Sequence, residues 1–283
     1  MAAPVLISVD QLAQRLSSES VHLLDVRWTV TAPDGRAAYL EGHLPGAIYV
    51  DLDSELSDHS VQGRGRHPLP TPSALQRSAR RWGLRPGEPV VVYDDWNGQA
   101  AARAWWLLRA AGLSDVLILD GGWSAWTRAG LPTETGDITA EPGTLTIDTL
   151  TSLASVDADT VAVQALSDDS GVVLDARAAA RYRGDEEPLD ARAGHIPGAV
   201  SAPTAENVTA DGTFRNADDL RARFDALGAG NGPVTVYCGS GVTATHQIAA
   251  LAIAGFDAAL YPGSWSEWSS QPDRPVATGS DPE

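Results

Sequence analysis

Cys238 is the only cysteine in this 283-residue chain, and it opens the run Cys238-Gly239-Ser240-Gly241-Val242-Thr243. A thiol attacks as its thiolate, so the surroundings decide whether it reacts. Pro233 to Tyr237 has the β-branched, apolar pattern of a buried strand, and Thr243 to Ala254 reads as a helix closed by Gly255. A helix start carries unpaired N–H groups and the positive end of its peptide dipoles, which favour a negative sulfur placed there. Gly239 and Gly241 have no Cβ, so the loop is free to curl and aim its N–H groups, from Gly239 to Val242 and Thr243, at that sulfur. A free cysteine is commonly just a small buried core residue. The Gly-Ser-Gly loop directly after a strand points instead to a nucleophile.

Loops of this kind also cradle phosphate. Cysteine phosphatases place an arginine six positions after the cysteine to hold the phosphoryl oxygens. Here that position is Ala244, and the loop contains neither Arg nor Lys. Attack on sulfur suits it better, because the resulting persulfide is one anionic atom that loop N–H groups can surround.

The elements that must position this loop occur twice. Leu24-Asp25-Val26-Arg27 recurs as Leu174-Asp175-Ala176-Arg177, and Gly42-His43-Leu44-Pro45-Gly46-Ala47 as Gly194-His195-Ile196-Pro197-Gly198-Ala199. Trp123-Ser124-Ala125-Trp126 returns as Trp265-Ser266-Glu267-Trp268. The order is kept, so the chain reads as a duplication. Each half alternates short apolar runs (Val21 to Val26, Val90 to Tyr93, Val116 to Leu119 in the first) with helical patterns such as Ala100 to Ala111. This predicts two α/β domains, each a mostly parallel central sheet flanked by helices, over residues 1–136 and 147–283. Pro132 to Thr146 is rich in Thr, Gly, Glu and Pro, and 137–146 reads as the linker. Ligands of such sheets bind at the carboxyl ends of the strands, where Cys238 falls. Aligning Tyr93 with Tyr237 sets Asp94 opposite Cys238, so the first half keeps the architecture without the thiol. His43 and His195 occur in both halves, which suits a role in fixing the turn.

Together these residues resemble the tandem rhodanese-type sulfurtransferases over nearly the whole chain. The resemblance rests on the GHxPGA element in both halves, the Gly-Ser-Trp-Ser-Glu-Trp element and the six-residue loop from Cys238. It implies transfer of a sulfane sulfur through a Cys238 persulfide to a thiol or cyanide acceptor. The uncharged Cys-Gly-Ser-Gly-Val-Thr loop is similar to that of the 3-mercaptopyruvate branch, whereas thiosulfate enzymes typically carry a basic loop. That branch implies a relay in which Ser240, His67 and Asp53 move a proton for the leaving pyruvate enolate, imidazole being suited to proton exchange near neutrality. A turn-capping Asp53 and a surface His67 are the plainer alternatives. Arg181 matches the family's substrate-binding arginine, with Arg192 in a shifted register, or Arg183, as the second. A thiosulfate enzyme on the same fold, and a persulfide carrier with little turnover, are the rival readings.

The formal net charge is −17, and every basic residue is arginine. So acidic a chain should repel nucleic acid and anionic membranes, and should draw an anionic donor only through local arginines. Low salt is therefore expected to weaken donor binding or leave it unchanged. No cofactor is implied, and no His/Cys spacing suggests a metal. With one cysteine there is no internal resolving thiol, so the acceptor is expected to be a small thiol or a thioredoxin-like protein. The absence of a transmembrane run or an evident signal peptide, and the single thiol, give a cytoplasmic expectation.

Overall fold

The computed structural model describes residues 4–167 and 171–282. The chain divides into two compact units. One comprises the chain up to Asp58, Leu69–Leu153 and Ala210–Phe214; the other comprises His59–Pro68, Ala154–Thr209 and the chain from Arg215. The 137–146 stretch thus lies inside the first unit. Gly143 and Thr144 there donate to the carbonyls of Arg80 and Leu84.

The first unit holds strands β1 (Leu6–Ile7), β2 (His22–Asp25), β3 (Ile48–Tyr49), β4 (Val90–Tyr93) and β5 (Val116–Leu119) in the order β1-β5-β4-β2-β3. All pairings are parallel, with Asp25 opposite both Tyr49 and Tyr93. The central strands β4 and β5 are buried at every residue, as expected of parallel strands covered on both faces. Leu12, Leu23, Leu44, Val91, Tyr93, Leu117 and Trp126 form a core on one side. The 210–214 segment is fixed by Phe214 N–H donating to Asp120 (2.9 Å) and by Arg128 Nη2 donating to Asp211 O (3.0 Å).

The second unit holds β6 (Val172–Asp175), β7 (Val200–Ser201), β8 (Val234–Tyr237) and β9 (Ala258–Leu260) in the parallel order β7-β6-β8-β9. Its core gathers Val161, Val173, Ile196, Tyr237, Tyr261, Trp265 and Trp268. Asp157 and Asn216 cap the helices Ala158–Ala165 and Ala217–Ala226 by accepting the N–H groups of Thr160 and Asp219.

The repeated motifs do the same structural job in both units. Arg27 donates to Asp25 and to Gly42 O and lies 5.0 Å over the Trp123 ring. Arg177 does so with Asp175, Gly194 O and Trp265 (4.6 Å). His43 and His195 bond through Nδ1 to the carbonyls of Tyr39 and Tyr182 and stack on those rings. Both histidines thus fix the turns that carry them. Burial pushes the His195 imidazole below its ordinary value.

Candidate active site

Cys238 follows β8 directly, at the carboxyl end of the sheet, and is buried. Its Sγ accepts the Gly241 N–H at 3.1 Å. Gly241 has φ +79°, and a Cβ there would sit 2.4 Å from Pro262 O, so only glycine gives this curl. The loop is pinned from below. Cys238 N–H donates to Ser264 Oγ (3.1 Å), and the carbonyls of Cys238 and Gly239 accept the N–H groups of Trp265 (3.0 Å) and Ser266 (2.9 Å). The buried Val242 and then Thr243 begin the helix Thr243–Ile253, whose start faces the loop as its sequence implies.

The corresponding loop of the first unit reveals what such a turn holds. Asp94 is fully buried, and its carboxylate accepts four backbone N–H groups: Trp96 and Gly98 on Oδ1 (2.8 and 2.9 Å), Ala100 and Ala101 on Oδ2 (both 2.8 Å). Burial pushes this carboxyl up, and the four N–H bonds oppose that. The first unit's loop is an anion cradle filled by its own carboxylate; at the equivalent place the second unit presents a sulfur that accepts the Gly241 N–H.

His67 belongs to the second unit through the 59–68 segment, and its Nδ1 lies 2.7 Å from Ser240 Oγ. The two are thus a hydrogen-bonded pair two residues from the nucleophile, and His67 is no idle surface residue. Asp53 lies in the first unit, half-buried in the short helix Leu52–Glu55. The capping work that might have explained it falls to Asp51, which accepts the Ser54 N–H.

The arginines divide differently from the sequence expectation. Arg181 lies beside the loop, its Nη1 within 3.3 Å of the point a Gly239 Cβ would occupy, with Nη2 bonded to Glu187 (2.6 Å). Arg192 is engaged at a helix end. Its guanidinium donates to the carbonyls of Trp268, Ser269, Gln271 and Arg274 at 2.8–3.0 Å, closing the end of the helix Ser264–Ser270. Four of its five N–H groups are spent on these carbonyls. Arg183, the other candidate, forms an exposed pair with Asp185 (2.7 Å). Sequence reasoning missed Arg66. Its Nη2 lies 3.0 Å from the same Gly239 point, and its Nη1 bonds to Asp190. The available signal was adjacency: Arg66 precedes His67, so it must travel with it.

Glu267 is buried in the segment under the loop, 3.6 Å from Arg64, and burial pushes its carboxyl up.

The chain is similar to known proteins over nearly its whole length. The model of the rhodanese-like domain matches twice, over residues 8–129 and 159–271. The chain is 50% identical to the putative thiosulfate sulfurtransferase SseB of Mycobacterium tuberculosis over 280 residues, 98% of each chain. It is 46% identical to a probable 3-mercaptopyruvate sulfurtransferase of Pseudomonas aeruginosa over 286 residues, 99% of this chain and all of the other. Among solved structures, the 3-mercaptopyruvate sulfurtransferase SseA of Escherichia coli matches with a TM-score of 0.82 at 33% identity, covering 93% of this chain and 99% of that one.

Proposed function

The chain belongs to the rhodanese family of sulfurtransferases, and from that premise we propose that Cys238 carries sulfur from 3-mercaptopyruvate to a thiol or cyanide. The Cys238 thiolate attacks the donor sulfur, forming an S–S bond. The donor C–S bond breaks, and its electron pair leaves as the pyruvate enolate. The thiol proton of the donor ends on the enolate carbon, so pyruvate and a Cys238 persulfide anion account for all atoms and charge. An acceptor thiolate or cyanide then attacks the outer sulfur and restores the Cys238 thiolate. The Gly241 N–H, with those of Gly239, Val242 and Thr243 near the helix start, stabilises the anion in both states.

The observation that carries the donor assignment is the 2.7 Å contact between His67 Nδ1 and Ser240 Oγ. A mercaptopyruvate donor needs a proton moved from sulfur to carbon, and a hydroxyl–imidazole pair beside the nucleophile is suited to that transfer. Asp53 is the third relay member that the family resemblance implies. Arg181 would hold the donor carboxylate, for which its planar fork is matched.

Two observations favour a second reading, thiosulfate as donor. Two guanidiniums flank Gly239, and SseB of M. tuberculosis is named for thiosulfate. Thiosulfate carries no thiol proton and needs no relay. The discriminating experiment measures kcat/KM for both donors in the wild type and in Ser240→Ala. A relay predicts a loss of about a hundredfold on mercaptopyruvate, with thiosulfate turnover nearly unchanged. Equal effects on both donors would remove the relay from the account.

The acceptor is proposed to be an external thiol, small or thioredoxin-like, because Cys238 is the only cysteine. Among the described residues no helix is long and apolar enough to cross a membrane. A reducing, cytoplasmic setting is proposed from the single thiol.

A further inference from the structure

Arg192 spends four N–H groups on a helix end and Arg183 pairs with Asp185 at the surface, whereas Arg66 reaches the reactive loop. We propose that Arg66 is the second anchoring arginine, and that Asp190 is the positioning residue that joins Arg66 and Arg181 into one anion-binding fork above Gly239. The ligand class is a compact anionic head group, carboxylate or sulfonate, carried next to a transferable sulfur. The inference rests on the sulfurtransferase reading but not on which donor is preferred.

The division of nitrogens supports it. Asp190 offers one oxygen to each arginine: Oδ1 to Arg66 Nη1, and Oδ2 to Arg181 Nη2 at 3.3 Å. Glu187 takes Arg181 Nη2 and Nε at 2.6 and 3.3 Å. The Asp190 and Glu187 side chains are only 6% and 4% exposed, so both are fixed behind the guanidiniums. This leaves Arg66 Nη2 and Arg181 Nη1 turned toward the loop, 3.0 and 3.3 Å from one shared point over Gly239. Two such N–H groups converging on one point match the oxygens of a single carboxylate. Two guanidiniums this close would repel each other, and the carboxylate between them offsets that. Gly239 completes the arrangement, because any side chain there would take the volume into which the two nitrogens point.

Arg66 is also delivered rigidly. Its N–H donates to Ser266 Oγ (3.0 Å), while the Ser266 N–H donates to Gly239 O (2.9 Å). One serine therefore ties together the backbone of the anchor and the backbone of the reactive loop. The preceding Gly65 has φ +84°, and a Cβ there would meet Gly263 O at 2.5 Å and Ser266 Oγ at 2.8 Å. The close approach that brings Arg66 to the loop thus requires glycine at 65.

The test uses the full-length protein and two alkylating reagents of matched shape, iodoacetate and iodoacetamide. In each, Cys238 sulfur bonds to carbon and iodide leaves; only iodoacetate offers a carboxylate to the fork. The rate ratio of iodoacetate to iodoacetamide is expected to fall about tenfold in Arg66→Met, through loss of a charge-assisted bond. It should fall in the same direction in Asp190→Asn and stay unchanged in Arg192→Met. KM for 3-mercaptopyruvate should rise about tenfold or more in Arg66→Met while kcat changes little, and Arg66→Lys should recover part of the loss. An unchanged ratio in Arg66→Met, or equal slowing with both reagents, would overturn the proposal. If thiosulfate proves to be the preferred donor, the mercaptopyruvate assignment falls. The alkylation ratio and the KM for thiosulfate would then still decide the role of Arg66.

Discussion

Replacing Asp94 with alanine tests whether this loop architecture binds an anion by its backbone alone. Asp94 is fully buried and accepts four N–H bonds of 2.8–2.9 Å. Hydrogen bonds to a charged group contribute about 1.5–3 kcal/mol each, so the simple sum would be roughly 6–12 kcal/mol. Burying the carboxylate has its own cost, seen in the upward push on its proton affinity, and that cost disappears with the side chain. Water entering the vacated space would satisfy some of the donors as well. A net loss of about 4 kcal/mol is expected, near the upper end for point substitutions. For a unit of this size that corresponds to a fall in Tm of about 8–16 °C. Urea titration followed by tryptophan fluorescence measures the loss. Formate, which restores a carboxylate without the chain, should recover more stability than chloride at equal ionic strength. A loss below about 1 kcal/mol, or no preference for formate, would refute the reading of the loop as an anion cradle, and with it the argument for the sulfur in the second unit.

Other outcomes follow from particular contacts. Gly241→Ala forces a Cβ to within 2.4 Å of Pro262 O at φ +79°, and should cost about 1–3 kcal/mol and most of the transfer activity. Gly87→Ala, at φ +80° with open space around it, should cost about 1 kcal/mol and leave turnover intact. His195 is held neutral by burial, below its ordinary value. As pH falls below about 6.5 the unfolded chain takes up the proton first, so stability is lost progressively on acidification through the lowered native value. Glu267 has the opposite sign: its native value is raised, so stability is lost as pH rises from about 4.3 toward that value. Comparing Tm against pH for wild type and His195→Gln isolates the first effect, and the acid-side slope should flatten in the variant.

Much of the site was legible because it is local. The strand, the Cys238 loop and the helix after it are contiguous, and glycine spacing and β-branched runs report their geometry directly. The duplication was equally readable, since each copied motif holds its own sheet together: Asp175, Arg177, Gly194 and Trp265 repeat the contacts of Asp25, Arg27, Gly42 and Trp123. The arginines were not legible. Whether Arg192 is available depends on four carbonyls some 76 to 82 residues further along, which no spacing rule reports. Arg66 depends on a ten-residue stretch, His59–Pro68, joining the second unit although it lies within the first half of the sequence. Asp94 follows Tyr93 as Cys238 follows Tyr237, but the alignment alone does not say that its carboxylate accepts four loop N–H groups. That emerges only once the four N–H groups are seen to converge.

The most direct test of the central claim is a mass measurement on the Cys238 peptide after the protein is mixed with 3-mercaptopyruvate without acceptor. The account predicts a gain of one sulfur atom on that peptide, one pyruvate released per chain, and loss of the added sulfur as thiocyanate when cyanide follows. Pyruvate release by Cys238→Ser at the wild-type rate, or release by the wild type with no sulfur on Cys238, would contradict it.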